Sequence, residues 1–206
     1  VVGHSAMASA KPDGYTLGLA TGELNMMHWQ GLTDLTYEDF TPIGQINFDY
    51  AGIQVAADAP YDSVQELVDA IAEQPMGTFK ASGTGQGGVW HLAFAGFLMD
   101  QGLEANRVTW IPSQGAAPAM TELAAGGIDY LVGEWRGITG PKGMDEEIVA
   151  TLEEALEAAY NSDTYQDFMA KQGFGTEWRN AEEFGELMVE MDAVYGEIVK
   201  NVGLSQ

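Results

Sequence analysis

The residues best suited to binding chemistry lie in one glycine-rich stretch, residues 78–92. A short apolar run there gives way to Ser82-Gly83-Thr84-Gly85-Gln86-Gly87-Gly88, and apolar residues at helical spacing follow. This order predicts a strand, a glycine-rich turn and a helix. Glycine lets a ligand approach the backbone closely, and the first amides of a helix carry partial positive charge without intrahelical partners. The stretch therefore predicts an anion site that needs no lysine or arginine, most simply a site for a carboxylate.

Two other interpretations of this loop stay open. The glycines could serve only the geometry of a tight turn between strand and helix. Gly83, Gly85 and Gly88 also match the G-x-G-x-x-G spacing of dinucleotide-binding loops, which requires an acidic residue at the end of the next strand. Glu104 has the expected separation, but it precedes the apolar run 108–111 and so lies at the wrong end of that strand. The carboxylate site is therefore preferred.

The rest of the sequence offers no catalytic or metal-binding set. The three histidines are far apart and lack the spacing of metal ligands. His91 follows the glycine loop, where it is predicted either to touch a ligand or, as the favoured alternative, to hydrogen-bond to the loop backbone. There is no cysteine, no G-x-S-x-G elbow, no P-loop and no zinc motif. We therefore expect a binding protein that is not an enzyme and uses no cofactor or metal.

The charge of the chain is strongly negative. With 31 acidic and 8 basic residues the net charge is −23, which argues against nucleic acid or an anionic membrane as a partner. The acidic residues are spread over predicted helices, as on a solvated surface, and their excess over lysine suggests a high-salt habitat. No apolar run reaches the roughly 18 residues needed to cross a bilayer, so direct membrane insertion is not expected. Local backbone dipoles would have to hold an anionic ligand against this overall field.

Predicted strands and helices alternate along the chain. Helix starts are predicted at Ser63 (a capping box with Glu66), Pro118, Asp145, Asp163 and Asn180. Strands are predicted at residues 15–20, 51–55, 78–81, 108–111 and 128–132. Such alternation predicts α/β units with a largely parallel sheet, in which ligands bind at the carboxyl ends of strands. Three predicted strand ends carry small polar loops, at residues 21–25, 82–88 and 113–115.

A series of short motifs, each present once, extends along nearly the whole chain. The motifs are Pro12-Asp13-Gly14-Tyr15-Thr16-Leu17, Thr21-Gly22, residues 35–43, residues 63–67, Ser82-Gly83-Thr84-Gly85 with His91-Leu92, residues 114–119, residues 123–129, residues 135–143 and residues 199–204. Each motif is weak by itself, but the ordered set resembles the extracytoplasmic solute receptors of tripartite tricarboxylate transporters, the Bug or TctC family. Two family segments have no counterpart here: the one before the Pro12 motif, and one between the motifs at residues 123–129 and 135–143. The sequence therefore suggests omitted or deleted segments, with a suspect junction near residues 129–134.

The resemblance implies an α/β, periplasmic-binding-protein-like fold of type II, a Venus flytrap of two α/β domains joined by crossing strands. Domain 1 would comprise residues 1–56 and 137–206, and domain 2 residues 57–136. The ligand would lie in the interdomain cleft and be enclosed by hinge closure. The resemblance further implies a monomer in the periplasm or another extracytoplasmic compartment, with a small carboxylate as ligand and the membrane subunits of a secondary transporter as partners.

Under this scheme the predicted ligand-binding residues come from both domains. They are Thr21, Gly22, Glu23, Ser82, Gly83, Thr84, Gly85, His91, Ser113, Gln114, Gly115, Ala116 and Arg136. Ser82, Thr84 and Gly85 are expected to donate hydroxyl or backbone hydrogen bonds to one carboxylate, and the other loops to complete the site. For each residue the alternative is a helix cap or a turn.

Two charged residues in this set have specific expected roles. Arg136 would pair with a ligand carboxylate, although a structural salt bridge to Glu134 or Asp129 is the favoured alternative. If Glu23 faces the cleft, it would favour a monoacid or an amino acid with an ammonium group. If it points to solvent, a plain diacid would fit.

Two functions from other classes remain open on the sequence. One is a nucleotide- or phosphometabolite-binding enzyme that uses residues 83–88, and the other is a ligand sensor for a membrane kinase. The identity of the acid and the choice between transport and sensing are not encoded in any motif.

Overall fold

The structure is a computed structural model that describes residues 1–48, 51–126 and 135–205, with only the backbone of Trp135 and Arg136. The chain divides into two compact units. Unit 1 comprises Val1–Tyr50 and Glu134–Gly196 with the last residue, and unit 2 comprises Ala51–Gly133 and Glu197–Ser205. The predicted domain 1 extends to the chain end, whereas residues 197–205 group with unit 2.

Unit 1 is built on a three-stranded sheet. Its elements are α1 (Val2–Ala8), β1 (Gly18–Thr21), β2 (Phe40–Phe48), β5 (Trp135–Pro141), α5 (Glu146–Tyr160), α6 (Asp163–Gln172) and most of α7 (Ala181–Asn201). Short 3-10 helices cover Gly22–Asn25 and Tyr37–Asp39. Strand β5 lies between β1 and β2 and runs antiparallel to both, with Gly137 opposite Ala20 on one side and Gln45 on the other.

This arrangement corrects the expected largely parallel sheet. Strands β1 and β2 do run parallel to each other, as alternation along the chain predicts, but they are not neighbours. The strand between them comes from much later in the sequence. A local pattern of elements does not contain such a long-range insertion.

The core of unit 1 gathers around the first turns of α7. Phe184 is fully buried among Met7, Leu24, Phe40 and Met188. Its ring lies over the backbone of Gly137, so a Cβ at that glycine would overlap the ring. The absence of a side chain at Gly137 therefore lets α7 pack directly on the central strand.

Unit 2 carries a parallel pair of short strands between helices. Its elements are α2 (Val64–Glu73), β3 (Lys80–Ala81), α3 (Val89–Asp100), β4 (Thr109–Trp110) and α4 (Ala116–Ala124). Strands β3 and β4 are parallel, with Ala81 opposite Trp110. The unit 2 core includes Leu67, Ile71, Phe94 and Leu98. The parallel pairing brings the loops that follow both strands to the same edge of the sheet.

The predicted helix starts agree with the structure to within two residues. Asp145 and Asn180 accept hydrogen bonds from the amides of Glu147 and Glu183, both at 2.9 Å. Helix α6 is capped by Ser162, one residue before the predicted Asp163, and ends at Gly173 with φ +71°. Helix α4 begins at Ala116, so Pro118 lies in its first turn.

The capping box predicted at Ser63 is only half present. The Glu66 amide donates to the Ser63 hydroxyl oxygen (3.2 Å), as expected. The Glu66 carboxylate, however, accepts from the Asp62 amide (2.7 Å). The helix start is therefore fixed by residues on both sides of Ser63.

The strand predictions need two corrections. Residues 51–55 form no strand, and Ile53 instead packs against the core cluster of unit 2. Strand β2 was not predicted, because Pro42 and Gly44 interrupt its pattern, and register shifts follow at Pro42/Gly44 and Gln45/Asn47. The strand predicted at residues 128–132 lies outside the described residues. None of the described helices combines the length and apolar character needed to cross a membrane.

Candidate functional site

Two loops of unit 2 meet at the carboxyl ends of β3 and β4. The Ile111 amide donates to the Ala81 carbonyl oxygen (2.7 Å), and the Ser113 amide donates to the Thr84 carbonyl oxygen (3.0 Å). These bonds continue the strand pairing into the loops at residues 82–88 and 111–115. The predicted glycine loop and the predicted loop at residues 113–115 therefore form one continuous surface.

Two helices begin at this junction. Gly88 is the N-cap of α3, and Gly115 is the N-cap of α4 with φ +113°, a conformation that favours glycine. In the described part of the chain, no residue accepts a hydrogen bond from the amides of Ala116 and Ala117. Helix N-termini of this kind stabilise a negative charge without a basic side chain.

Thr84 places an unused hydroxyl at the same junction. Its Oγ1 atom is buried and has no hydrogen-bond partner among the described residues. A Cβ at Gly88 would lie 2.6 Å from this oxygen, which places the hydroxyl at the start of α3. Because a buried hydroxyl without a partner costs about 1–3 kcal/mol, an acceptor supplied by a ligand would be stabilised here.

His91 supports the loop from the first turn of α3. Its side chain is buried, with 8% of the residue exposed, and the Gly87 amide donates to its Nδ1 atom (3.0 Å). Burial lowers the pKa of His91 from 6.5 to about 4, so the ring is neutral at pH 7. The structure thus gives the favoured alternative from the sequence, a histidine bonded to the loop backbone. A direct contact between His91 and a ligand stays a prediction.

The hydroxyl protons of two other predicted donors are already used within the protein. Ser82 donates to the Ile111 carbonyl oxygen (2.6 Å), and Ser113 donates to the Gly115 carbonyl oxygen (2.9 Å). Both bonds fasten the loops to each other or to themselves, so these two hydroxyl protons are engaged within the protein. The ligand contacts predicted for Ser82 and Ser113 would have to use other atoms.

The remaining predicted residues of unit 2 lie on the same two loops. Gly83 is buried beside Ser82, whereas Gly85 and Gln114 are exposed, and Gly115 and Ala116 are partly exposed at the start of α4. The exposed positions mark the accessible side of the junction. Contact between any of them and a ligand stays a prediction.

Thr21, Gly22 and Glu23 form a compact turn in unit 1. Thr21 is the N-cap residue of the 3-10 helix Gly22–Asn25, and its hydroxyl donates to the Glu23 carboxylate. Thr21 thus occupies the N-cap position without a side-chain capping bond, and the Glu23 carboxylate is partly buried and bonded to the Thr21 hydroxyl. The backbone of Arg136 lies opposite Thr21 in the sheet, whereas its side chain and the proposed partners Glu134 and Asp129 lie outside the described residues. The ligand roles of these residues stay predictions.

A comparison with models of known protein families shows to which family this chain belongs. The model of the family described as tripartite tricarboxylate transporter family receptor (TctC) matches residues 1–134, more than half of the 206 residues. The chain belongs to the TctC family. Members of this family are solute-binding receptors.

Solved structures show that this TctC protein has the two-domain periplasmic-binding-protein fold. A TctC solute-binding protein from Polaromonas is 28% identical, with a TM-score of 0.84 over 97% of this chain and 82% of that chain. A Rhodopseudomonas palustris protein with adipate is 18% identical, with a TM-score of 0.77 over 99% and 83%. MatC from Rhodopseudomonas palustris with bound malate is also 18% identical, with a TM-score of 0.71 over 96% and 83%. At 18% identity the last two show the fold alone.

The geometry of the TctC protein gives no support to the dinucleotide interpretation. Glu104 forms an ion pair with Arg107 (3.6 Å) just before β4. Because β3 and β4 are parallel, this carboxylate lies at the opposite end of the strand pair from the glycine loop. Among the described residues, no cluster of His, Asp and Glu is arranged to hold a metal ion.

One residue of the site was missed from the sequence. Trp110, at the end of β4, donates its indole N–H to the Thr84 carbonyl oxygen (3.1 Å). A tryptophan in a short apolar run predicts only a core position, although a partly buried indole N–H does require a partner. That requirement was the available signal, but the partner became evident only from the tertiary structure.

Because His91 is buried in its neutral form, we predict that the free energy of unfolding of the protein depends on pH. Its folded-state pKa of about 4 lies below the ordinary 6.5, so between these values the unfolded chain binds a proton that the folded protein does not. Stability from this group is therefore complete above pH 6.5 and is lost as the pH falls toward 4. From pH 7 to pH 4 we expect the native protein to lose about 2 kcal/mol more stability than the His91→Asn variant.

The measurement is urea unfolding of both proteins at several pH values and constant ionic strength. Titration of the many carboxylates is common to both proteins, so the difference between them isolates His91. Asparagine suits the comparison because its side-chain oxygen can still accept from the Gly87 amide. Parallel pH profiles for the two proteins would show that His91 titrates normally.

Proposed function

We propose that this TctC protein is an extracytoplasmic solute-binding protein that captures a small organic acid through a carboxylate at the junction of residues 82–88 and 111–116. The proposal is carried by the buried Thr84 hydroxyl, which lacks a partner among the described residues and lies where two helices begin. A carboxylate oxygen would accept from this hydroxyl. The amides of Ala116 and Ala117 would supply further donors.

The chemistry of the junction favours an anion held by neutral donors. Among the described residues of unit 2, Arg107 carries the one guanidinium group. This group donates to the carbonyl oxygens of Ile71 (3.2 Å), Ala72 (2.8 Å) and Gln74 (2.7 Å) at the end of α2. It is therefore committed to a helix terminus. The donors placed at the junction itself are backbone dipoles and the Thr84 hydroxyl, and these suit one delocalised carboxylate better than a multiply charged phosphate chain.

The comparisons support the same class of ligand. The two Rhodopseudomonas palustris proteins of this fold hold adipate and malate, which are both dicarboxylates. We accordingly propose a small mono- or dicarboxylate as the solute. We also propose that the receptor acts in the periplasm and passes the acid to the membrane subunits of a tripartite tricarboxylate-type transporter, as its family membership suggests.

The test is a thermal-shift panel of organic acids followed by calorimetric titration. The panel should include adipate, malate, smaller monoacids and acidic amino acids, with NAD and ATP as the nucleotide alternative. An acid that binds only the native state adds about 2.7 kcal/mol to the free energy of unfolding at one hundred times its Kd. This added stability raises the melting temperature. A response to NAD or ATP and to no acid would overturn the proposal.

The Thr84→Val variant tests the position of the site. Valine keeps the shape of threonine but removes the hydroxyl, so affinity for the responsive acid should fall about tenfold, the equivalent of about 1.4 kcal/mol. The free protein should be as stable as the native protein or slightly more stable, because a buried hydroxyl without a partner has been removed.

Thr121→Val is the matched control for this variant. Thr121 is exposed on α4, and its hydroxyl donates to the Ala117 carbonyl oxygen (3.2 Å) within the helix. The control should bind the acid as the native protein does. Equal affinity of native protein and Thr84→Val would show that the carboxylate is bound elsewhere.

A further inference from the structure

Two aromatic rings hold the glycine loop at both ends of its exposed tip. Trp110 donates its indole N–H to the Thr84 carbonyl oxygen (3.1 Å), and His91 accepts from the Gly87 amide (3.0 Å). Gly85 and Gln86, which lie between these two anchors, are both exposed. The tip is therefore bracketed by one fixed peptide before it and one fixed peptide after it.

The two rings also contact each other. Their centroids are 4.9 Å apart with an angle of 40° between the planes. His91 stands on α3 and Trp110 on β4, so the contact joins two elements that are distant in sequence. Since the Gly87 amide donates to Nδ1, the ring proton of neutral His91 resides on Nε2.

We infer that Trp110 and His91 are positioning residues of the proposed carboxylate site, and that their paired rings hold the loop tip in its binding conformation before the ligand arrives. This inference rests on the proposed function. Both residues act through the backbone of the loop: one through the Thr84 carbonyl, the other through the Gly87 amide.

The physical benefit is a lower entropic cost of binding. Glycine-rich segments have the most conformational freedom to lose when they are fixed, and this loop has glycine at four of its seven positions, 82–88. A loop that is already ordered loses little further entropy when a ligand binds, so more of the contact energy appears as affinity. The Ser113 amide also donates to the Thr84 carbonyl oxygen (3.0 Å), which leaves one bond in place when the indole is removed.

The first arm of the test measures loop order in the ligand-free protein. Trp110→Phe removes the indole N–H and keeps an aromatic ring, and Trp178→Phe in unit 1 is the matched control. Backbone order parameters from NMR are near 0.85 for rigid segments and below 0.6 for flexible ones. We expect Gly85 and Gln86 to move from the rigid toward the flexible range in Trp110→Phe and to stay unchanged in Trp178→Phe.

The second arm measures affinity for the acid that responds in the thermal-shift panel. We expect Trp110→Phe to bind it about fivefold to tenfold more weakly, with a melting temperature within a few degrees of the native protein. His91→Asn serves as a second variant, because it keeps an acceptor for Gly87 and removes the ring contact. It should loosen the tip less than Trp110→Phe does and should decide the question if Trp110→Phe fails to fold.

The outcomes separate this inference from the proposed function. If the native protein binds no acid, the proposed function fails, while the order parameters still decide whether the rings hold the loop. If acid binding is confirmed and Trp110→Phe loses loop order but binds normally, the rings are only structural and the inference is overturned. Unchanged order and unchanged affinity would also overturn it.

Discussion

Replacing Gly137 with alanine is expected to lower the melting temperature of the protein by about 4–12 °C, the equivalent of about 2–3 kcal/mol of lost stability. The new methyl group would overlap the ring of Phe184, which is fully buried in unit 1. Strand β5 cannot move away easily, because Gly137 is paired with Ala20 and Gln45 on its two sides. Thermal unfolding followed by circular dichroism measures the change.

A control and a rescue make this prediction specific to the contact. Gly3→Ala introduces the same methyl group on α1, where nothing lies within 4 Å of the added Cβ, and should not lower the melting temperature. Phe184→Leu should restore part of the stability that Gly137→Ala loses. The double variant should therefore lose less stability than the sum of the losses measured for the two single variants. A melting temperature of Gly137→Ala equal to that of the native protein would contradict the packing described for unit 1.

The second large effect is expected at Gly88, where alanine should weaken binding of the responsive acid at least tenfold. A Cβ at Gly88 would lie 2.6 Å from the Thr84 hydroxyl oxygen and 3.0 Å from the Gly85 carbonyl oxygen. The second contact is with backbone, so the loop itself must shift, at a cost of about 1–3 kcal/mol. Both Thr84 and the start of α3 would leave their positions, and isothermal titration calorimetry measures the loss.

Gly52→Ala is the control for this variant within unit 2. Nothing lies within 4 Å of a Cβ at Gly52, so this variant should bind the acid normally. Crystal structures or NMR shifts of Gly88→Ala should place the change in residues 84–88. Native affinity in Gly88→Ala would mean that the acid does not use this loop.

The sequence by itself determined the family, helices α2 to α7 and the existence of a glycine-rich loop between a strand and a helix. These features depend on local chemistry: Asp145 and Asn180 accept from amides within three residues, and Gly173 ends α6 in a left-handed conformation. Capping and turn geometry are set by neighbours in the chain, so residue type and spacing predict them.

Only the tertiary structure decided which groups of the loop are available to a ligand. Both Ser82 and Thr84 are hydroxyl donors by residue type. The Ser82 hydroxyl, however, donates to the carbonyl oxygen of Ile111, 29 residues away, whereas the Thr84 hydroxyl has no partner among the described residues. The placement of β5 between β1 and β2 and the contact of Trp110 with Thr84 are likewise long-range. A hydrogen bond satisfies a group wherever the chain returns in space, and sequence spacing does not encode that return.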